Sequence, residues 1–222
     1  MKKNNHKKVI VWDWNGTLLD DVDYCVDCIN VLLEKRGLRT IDVATYKKIF
    51  TFPVIEYYQS AGFDLETEGF EKPAMEFINL YYDNFSQTKL FPCVPNVLAQ
   101  FKEKGYQQVV LSAMEHESLL KTLAGKGILS FFNEVTGVGD HYGSSKEETG
   151  RQLLKNLRVN PDEVVIIGDT LHDKQVADVL GVALILVATG HNSKKRLLAE
   201  HPVVVDKLDE VVELLNRLSV NK

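Results

Sequence analysis

Two rhythms of apolar and polar positions divide this chain. Val9-Ile10-Val11-Trp12 is a short apolar run that breaks at Asp13 and Asn15, the pattern of a buried parallel strand whose C-terminal end opens onto a polar turn. From Asp20 to about Thr88 the rhythm is helical. It predicts helices over residues 22–36, 43–61 and 70–85, turns at Gly37, Pro53, Gly62 and Pro73, and no strand. After Phe91-Pro92 the rhythm changes again, predicting strands at 107–111, 134–137, 163–167, 182–187 and 203–205. Helices are predicted between and after them at 96–104, 117–125, 146–157, 173–180, 194–200 and 208–218. Strands that alternate with helices build a parallel sheet. The expected fold is therefore α/β, a doubly wound Rossmann-like sheet of five or six strands with an all-α cap inserted after the first strand. Residues 1–19 and 90–222 form the expected core and 20–89 the expected cap.

Ligands of open parallel sheets bind beyond the carboxyl ends of the strands, so the residues that follow each strand are the ones to inspect. The first strand is followed by Asp13-Trp14-Asn15-Gly16-Thr17-Leu18, the second by Ser112, and the strand at 163–167 by Gly168-Asp169-Thr170-Leu171-His172-Asp173. Aspartates gathered at one place repel unless a cation lies between them, and carboxylate oxygens are the ligands magnesium prefers. Lys146 opens a helix and offers a point charge for phosphate or carboxylate. A single aspartate after a strand is ordinarily a helix cap or turn residue. Asp13, Asp169 and Asp173 depart from that reading only together. Trp12 and Trp14 point to the opposite face from Asp13 by strand alternation and read as packing.

Bulk properties narrow the partners. An apolar content of 45%, a charged content of 26% and 222 residues describe an ordinary globular chain. The net charge is −5 with no basic stripe, which argues against a nucleic-acid surface. The basic N-terminal residues lead into an apolar run too short for an export signal, and no stretch approaches the roughly 18 apolar residues of a membrane span. Three cysteines cannot all pair, which fits a reducing compartment, so a cytoplasmic location is expected. Cys25 and Cys28 lie on a helical pattern with no second ligand pair nearby, and read as small apolar residues.

The motifs Asp13-x-Asn15-Gly16-Thr17-Leu18, Ser112, Lys146 and Gly168-Asp169-x-x-x-Asp173, in that order, resemble the four motifs of the haloacid dehalogenase-like hydrolase superfamily. The helical block sits where that superfamily carries a C1-type cap. The segment Ala188-Thr189-Gly190-His191-Asn192-Ser193-Lys194-Lys195 is similar to the phosphoglycolate-phosphatase-like branch. The resemblance implies magnesium-dependent hydrolysis of a small phosphorylated metabolite. Asp13 would be the nucleophile that forms an aspartyl-phosphate. Magnesium would be held by Asp13, the backbone carbonyl of Asn15 and Asp169, with Asp173 close by or acting through water. Thr17, Ser112 and Lys146 would hold the phosphoryl oxygens.

One position departs from the pattern. The family's phosphatases carry a general acid–base aspartate two residues after the nucleophile, and here that residue is Asn15, whose amide cannot cycle a proton. Loss of such a group costs about 10²–10⁴-fold in rate. Three outcomes are open: hydrolysis of substrates with good leaving groups, supply of the proton by His116 or His172, or a phosphoester-binding, regulatory protein with little turnover. In the cap, Lys47, Lys48 and Lys72 read as a solvated helix face, and Phe50, Phe52, Tyr57 and Tyr58 as small-domain core, with one tyrosine free to face the cleft.

Overall fold

A computed structural model describes residues 8–139 and 146–220. Strand β1 (Val9–Trp12) is buried along its whole length. It lies between β4 (Gln107–Glu115) and β6 (Val164–Gly168), pairing in parallel with both. With β5 (Glu134–Val138), β7 (Ala183–Val187) and β8 (Val204–Val205) these form one six-stranded parallel sheet of order β5-β4-β1-β6-β7-β8. The order reverses direction at β1, so the carboxyl ends of β1, β4 and β6 meet at the switch point.

Alternation along β1 sorts its side chains between two layers. Ile10 and Trp12 join the core under helices α6 (Val94–Glu103), α7 (His116–Gly125) and α11 (Glu210–Val220). Val9 and Val11 join the opposite core under α8 (Lys146–Leu157), α9 (Leu171–Leu180) and α10 (Lys194–Glu200). Trp12 and Trp14 are both fully buried in the first layer, as strand alternation requires, and Trp12 Nε1 donates to Gln108 Oε1 at 3.1 Å.

The helical block consists of α1 (Val22–Lys35), α2 (Val43–Ile49), α3 (Val54–Ala61), α4 (Leu65–Glu68) and α5 (Glu71–Asp83). It has its own core, built on Val26, Ile29, Leu33, Tyr46, Tyr57, Tyr58 and Tyr81. The helical stretch at 43–61 is divided into two helices at Pro53, where a turn is expected. Pro53, with no N–H to donate, caps α3 instead of continuing α2. Pro73 does not break the chain as expected. It sits in the first turn of α5, where its missing N–H would be unpaired anyway. A two-residue antiparallel pair, β2 (Leu19–Asp20) with β3 (Lys89–Leu90), ties together the two chain segments that enter and leave the block. The helical periodicity gave no sign of it. Among the described residues no helix is long and apolar enough to cross a membrane.

Candidate active site

Asp13 follows the last residue of β1, where its N–H still donates to Ile167 O of β6 at 2.9 Å. The chain then turns back through Gly16, which has φ +70°. A Cβ at Gly16 would come within 2.5 Å of Asp169 Oδ2, so the turn needs a residue that is both left-handed and without a side chain. Across the switch point, Asp169 follows β6 and Asp173 lies in the first turn of α9. Ligand oxygens of Asp13, Asp169 and Asp173 all lie within 4.8 Å of one another, and all three residues are buried.

These carboxylates are held in different ways. Asp173 Oδ1 receives Lys146 Nζ at 2.6 Å, while its Oδ2 accepts from the N–H of Thr170 at 3.0 Å, the Thr170 hydroxyl at 2.7 Å and the N–H of Asp169 at 3.2 Å. Burial alone would raise its pKa, but Lys146 and these donors hold Asp173 below the usual carboxylate value. Asp169 Oδ1 accepts from the Thr17 hydroxyl at 2.9 Å, and Oδ2 from the N–H of His191 at 2.5 Å. Asp13 Oδ1 receives Lys146 Nζ at 2.5 Å, whereas Oδ2 has only the long 3.5 Å approach of Thr17. Asp13 is thus anchored through one oxygen, with the other free. Its pKa is raised, first by burial and then by Asp173 and Asp169, against the pull of Lys146.

Thr17 therefore reaches Asp169, and its single proton is used there. Ser112 accepts from the N–H of Met114 at 3.1 Å, leaving its own hydroxyl hydrogen to donate. Ser112 was expected just past the end of its strand. It lies inside β4, in the stretch where register with β5 slips between Leu111 and Glu115, and that irregularity lets β4 continue beyond it. Asn15 does not turn to Asp13. Its Nδ2 donates to Asp21 Oδ2 at 2.7 Å and to the Tyr81 hydroxyl at 2.8 Å, joining the turn to the helical block.

Sequence reasoning missed a second buried group. Asp21 accepts from the N–H of Gly16 at 3.0 Å and from the Tyr81 hydroxyl at 2.8 Å. His191 Nε2 lies 3.3 Å from Asp21 Oδ1, and His191 Nδ1 lies 2.9 Å from the Tyr46 hydroxyl. Burial would lower the His191 pKa, but Asp21 first, then Asp169 and Asp13, lift it to about 9. Cys25, read from sequence as apolar packing, is buried with its sulfur close to this Asp21–His191 pair. His191 lies in the loop ahead of α10, and its side-chain contact with Tyr46 comes from the helical block 145 residues away in sequence.

The helical block and the loop after β7 are bound by further contacts: Lys47 Nζ to Thr189 O at 2.9 Å, Asn192 Nδ2 to Phe50 O at 3.0 Å and Arg196 to Phe50 O at 2.7 Å. Lys47 is thus half-buried and engaged, contrary to the solvated reading, while Lys48 and Lys72 are exposed as expected. A cavity of about 270 Å³ lies between block and sheet, reaching Asp13, Ser112 and Lys146. Phe50, Phe52, Tyr57 and Tyr58 line it, so Phe50, Tyr57 and Tyr58 are both core and wall. His172 lines it too, stacked on Phe52 with ring centres 4.3 Å apart, whereas His116 Nδ1 accepts from Gly137 N–H at the edge strand, outside the cavity wall.

The donor set suits a divalent cation. Among the described buried residues at this place there are four carboxylates, Asp13, Asp21, Asp169 and Asp173, and two cationic side chains, Lys146 and His191. With every group charged, two negative charges stay uncompensated in a desolvated setting, a costly arrangement without a counter-ion.

Gly190 shows how closely this centre is packed, since a Cβ there would run into the Asp169 carboxylate. Gly190→Ala is expected to cost about 1–3 kcal/mol through overpacking, read as a lowered unfolding midpoint in urea.

A family model described as haloacid dehalogenase-like hydrolase matches residues 10–187. The chain is 25% identical over 219 residues to a phosphoglycolate phosphatase from Nitrosococcus oceani, covering 95% of this chain and 97% of that protein. It is 26% identical over 200 residues to a 5'-nucleotidase from Pseudomonas aeruginosa, covering 87% and 88%. Its fold is similar to that of a haloacid dehalogenase-like family hydrolase from Streptococcus pneumoniae, with TM-score 0.80 at 18% identity, covering 93% and 97%.

Proposed function

The chain belongs to the haloacid dehalogenase-like hydrolase family, and from that premise we propose that it is a magnesium-dependent phosphatase of small phosphate monoesters, working through an aspartyl-phosphate on Asp13. One observation carries this reading: Asp13 is fixed through Oδ1 by Lys146 while Oδ2 stays free at the floor of the cavity. The names of the similar proteins cover phosphoglycolate and nucleotides, which have a phosphate monoester in common.

Asp13, Asp169 and the backbone carbonyl of Asn15 would hold the magnesium ion, with Asp173 at its edge. Bound there, the ion supplies positive charge to the phosphoryl oxygens. The remaining work falls to the chain. Asp13 Oδ2 forms a bond to phosphorus as the bond from phosphorus to the ester oxygen breaks, and that oxygen leaves with the electron pair. Lys146 orients the nucleophile and neutralises charge on the phosphoryl group, and Ser112 donates its hydroxyl hydrogen to it. Thr17 acts through Asp169, holding that carboxylate in place. Water then attacks phosphorus, the bond between Asp13 and phosphorus breaks, and the carboxylate is restored as the water's proton passes to phosphate or solvent. Residues 20–89 serve as a cap that opens for substrate and closes to exclude water. The contacts of Tyr46 with His191, Lys47 with Thr189, Phe50 with Asn192 and Tyr81 with Asn15 are its latch.

Asn15→Asp tests the odd residue in the set. The variant gains a group able to protonate the leaving oxygen, so release of phosphate from alkyl esters should rise about 10–100-fold. It also places a carboxylate where an amide donated to Asp21 at 2.7 Å, so one of the pair must take up a proton or repel its neighbour. Its folded-state pKa is therefore raised, and the stability deficit against the parent should grow as pH rises from 5 to 8. Phosphate release with and without magnesium, beside unfolding at both pH values, reads both effects. A parent that binds phosphate with magnesium but never releases it from any ester would favour a binding protein instead.

A further inference from the structure

Building on that function, we propose that the ester cleaved here is the phosphate of an uncharged phenol: the leaving group is a neutral aromatic ring joined to phosphorus through a phenolic oxygen. Three independent features of the cavity lead to it.

The first is the wall. Above Asp13 the helical block presents Phe50, Phe52, Tyr57, Phe70 and Phe77 to the cavity. Phe50 meets Phe52 and Tyr57 edge to face, at interplanar angles of 84° and 63°. Such a wall offers ring faces and edges to a further ring, and it removes that ring's apolar surface from water. Tyr57 is only 2% exposed, and its hydroxyl has no hydrogen-bond partner among the described residues. A polar substituent on the ring would satisfy it.

The second is charge. Among the described lining residues the one lysine or arginine is Lys146, which is already shared by Asp13 and Asp173. His191 is paired with Asp21, and His172 is stacked on Phe52. A carboxylate on the leaving group would find no open cation in this wall. It would instead share the cavity with Asp21 and Glu115, and an unpaired buried carboxylate is strongly disfavoured.

The third is Asn15. Its amide is committed to Asp21 and Tyr81 and carries no transferable proton, so the position two residues after Asp13 gives no proton to the leaving oxygen. A phenol ionises near pH 10, by the value for the tyrosine side chain, whereas an alkyl hydroxyl resembles water, at about 15.7. Without an acid at that position, the phenolate is the better leaving group by about five to six powers of ten in ionisation. As Asp13 Oδ2 bonds to phosphorus, the bond from phosphorus to the phenolic oxygen breaks, the phenolate takes the electron pair, and solvent protonates it after release.

The test uses the parent protein with magnesium and pairs of aryl phosphates matched in leaving-group pKa, one neutral and one bearing a ring carboxylate. Phosphoglycolate and a simple alkyl phosphate complete the panel. The expected result is a kcat/KM at least about 100-fold higher for the neutral member of each pair, with phosphoglycolate and the alkyl ester lower still. Ile78→Lys, which adds a cation to the wall, should raise the carboxylated member about tenfold relative to its neutral partner. Equal rates within the pairs, or a preference for phosphoglycolate, would overturn the neutral-phenol assignment while leaving the phosphatase intact. Failure to cleave any member, with no phosphoryl group ever found on Asp13, would remove the phosphatase reading itself.

Discussion

Asp13→Asn should abolish phosphate release, lowering kcat by at least about 10⁴-fold while the fold stays intact, because an amide oxygen is a poor nucleophile and no neighbour replaces it. Lys146 Nζ can only donate, the Thr17 hydroxyl gives its hydrogen to Asp169, and Ser112 Oγ accepts from the N–H of Met114, so none of the three supplies a carboxylate in place of Asp13. The other carboxylates are committed elsewhere, Asp173 to Lys146 and to the start of α9, and Asp169 to Thr17 and His191. Circular dichroism and the unfolding midpoint should stay close to those of the parent, because removing one charge from a site with excess negative charge relieves repulsion even as one contact to Lys146 weakens. The check is steady-state phosphate release with magnesium, parent and variant side by side. A variant that keeps more than a tenth of the parent rate would place the nucleophile elsewhere.

Lys146→Met has the largest expected effect on stability. The ammonium is buried between Asp13 and Asp173, at 2.5 and 2.6 Å, and these two carboxylates more than offset burial, raising the lysine pKa above its usual value. Removal of one partner from a buried ion pair typically costs about 3–5 kcal/mol, because the remaining charge is stranded. The pH dependence has a definite sign. Asp173 has a depressed folded pKa, so the stability it draws from Lys146 is full at neutral pH and is lost as pH falls through the carboxylate range. The deficit of Lys146→Met should therefore be greatest near pH 7 and shrink toward pH 3. Added magnesium should recover part of it by supplying positive charge between the same carboxylates. Urea unfolding at several pH values, with and without magnesium, reads all three effects.

Much of this site could be read in the chain because its parts are local. Asp13 and Thr17 share one turn, Asp169 and Asp173 one strand end and helix start, and alternating strands and helices bring those turns to one edge of a parallel sheet. The family model covers the same span. What could not be read depends on contacts distant in sequence. Nothing near Asn15 signals that its amide joins Asp21 to Tyr81, 66 residues on. Nothing near Tyr46 signals that it meets His191, and Tyr57 and Phe50 read as core because their hydrophobicity is the same whether a ring faces a neighbour or a cavity. The errors in outline were likewise local geometry overriding pattern: Pro73 sits inside the first turn of α5 instead of marking a break, and the slip in β4 placed Ser112 within the strand instead of after it.

Asn15 gives those distant contacts their functional weight. Its amide holds the turn after Asp13 to the helical block, so under the proposed mechanism the residue that withholds a proton from the leaving group would also hold the site closed. A substitution there is expected to change both proton supply and the contact between the turn and the helical block.

The most direct measurement is the covalent state of Asp13 during turnover. Protein mixed with magnesium and an aryl phosphate is quenched in acid after one turnover, and its intact mass and peptide map are recorded. The account predicts one added phosphoryl group, located on Asp13 and absent from Asp13→Asn, appearing no more slowly than phosphate is released. Phosphate released at the parent rate with Asp13 never modified would contradict it.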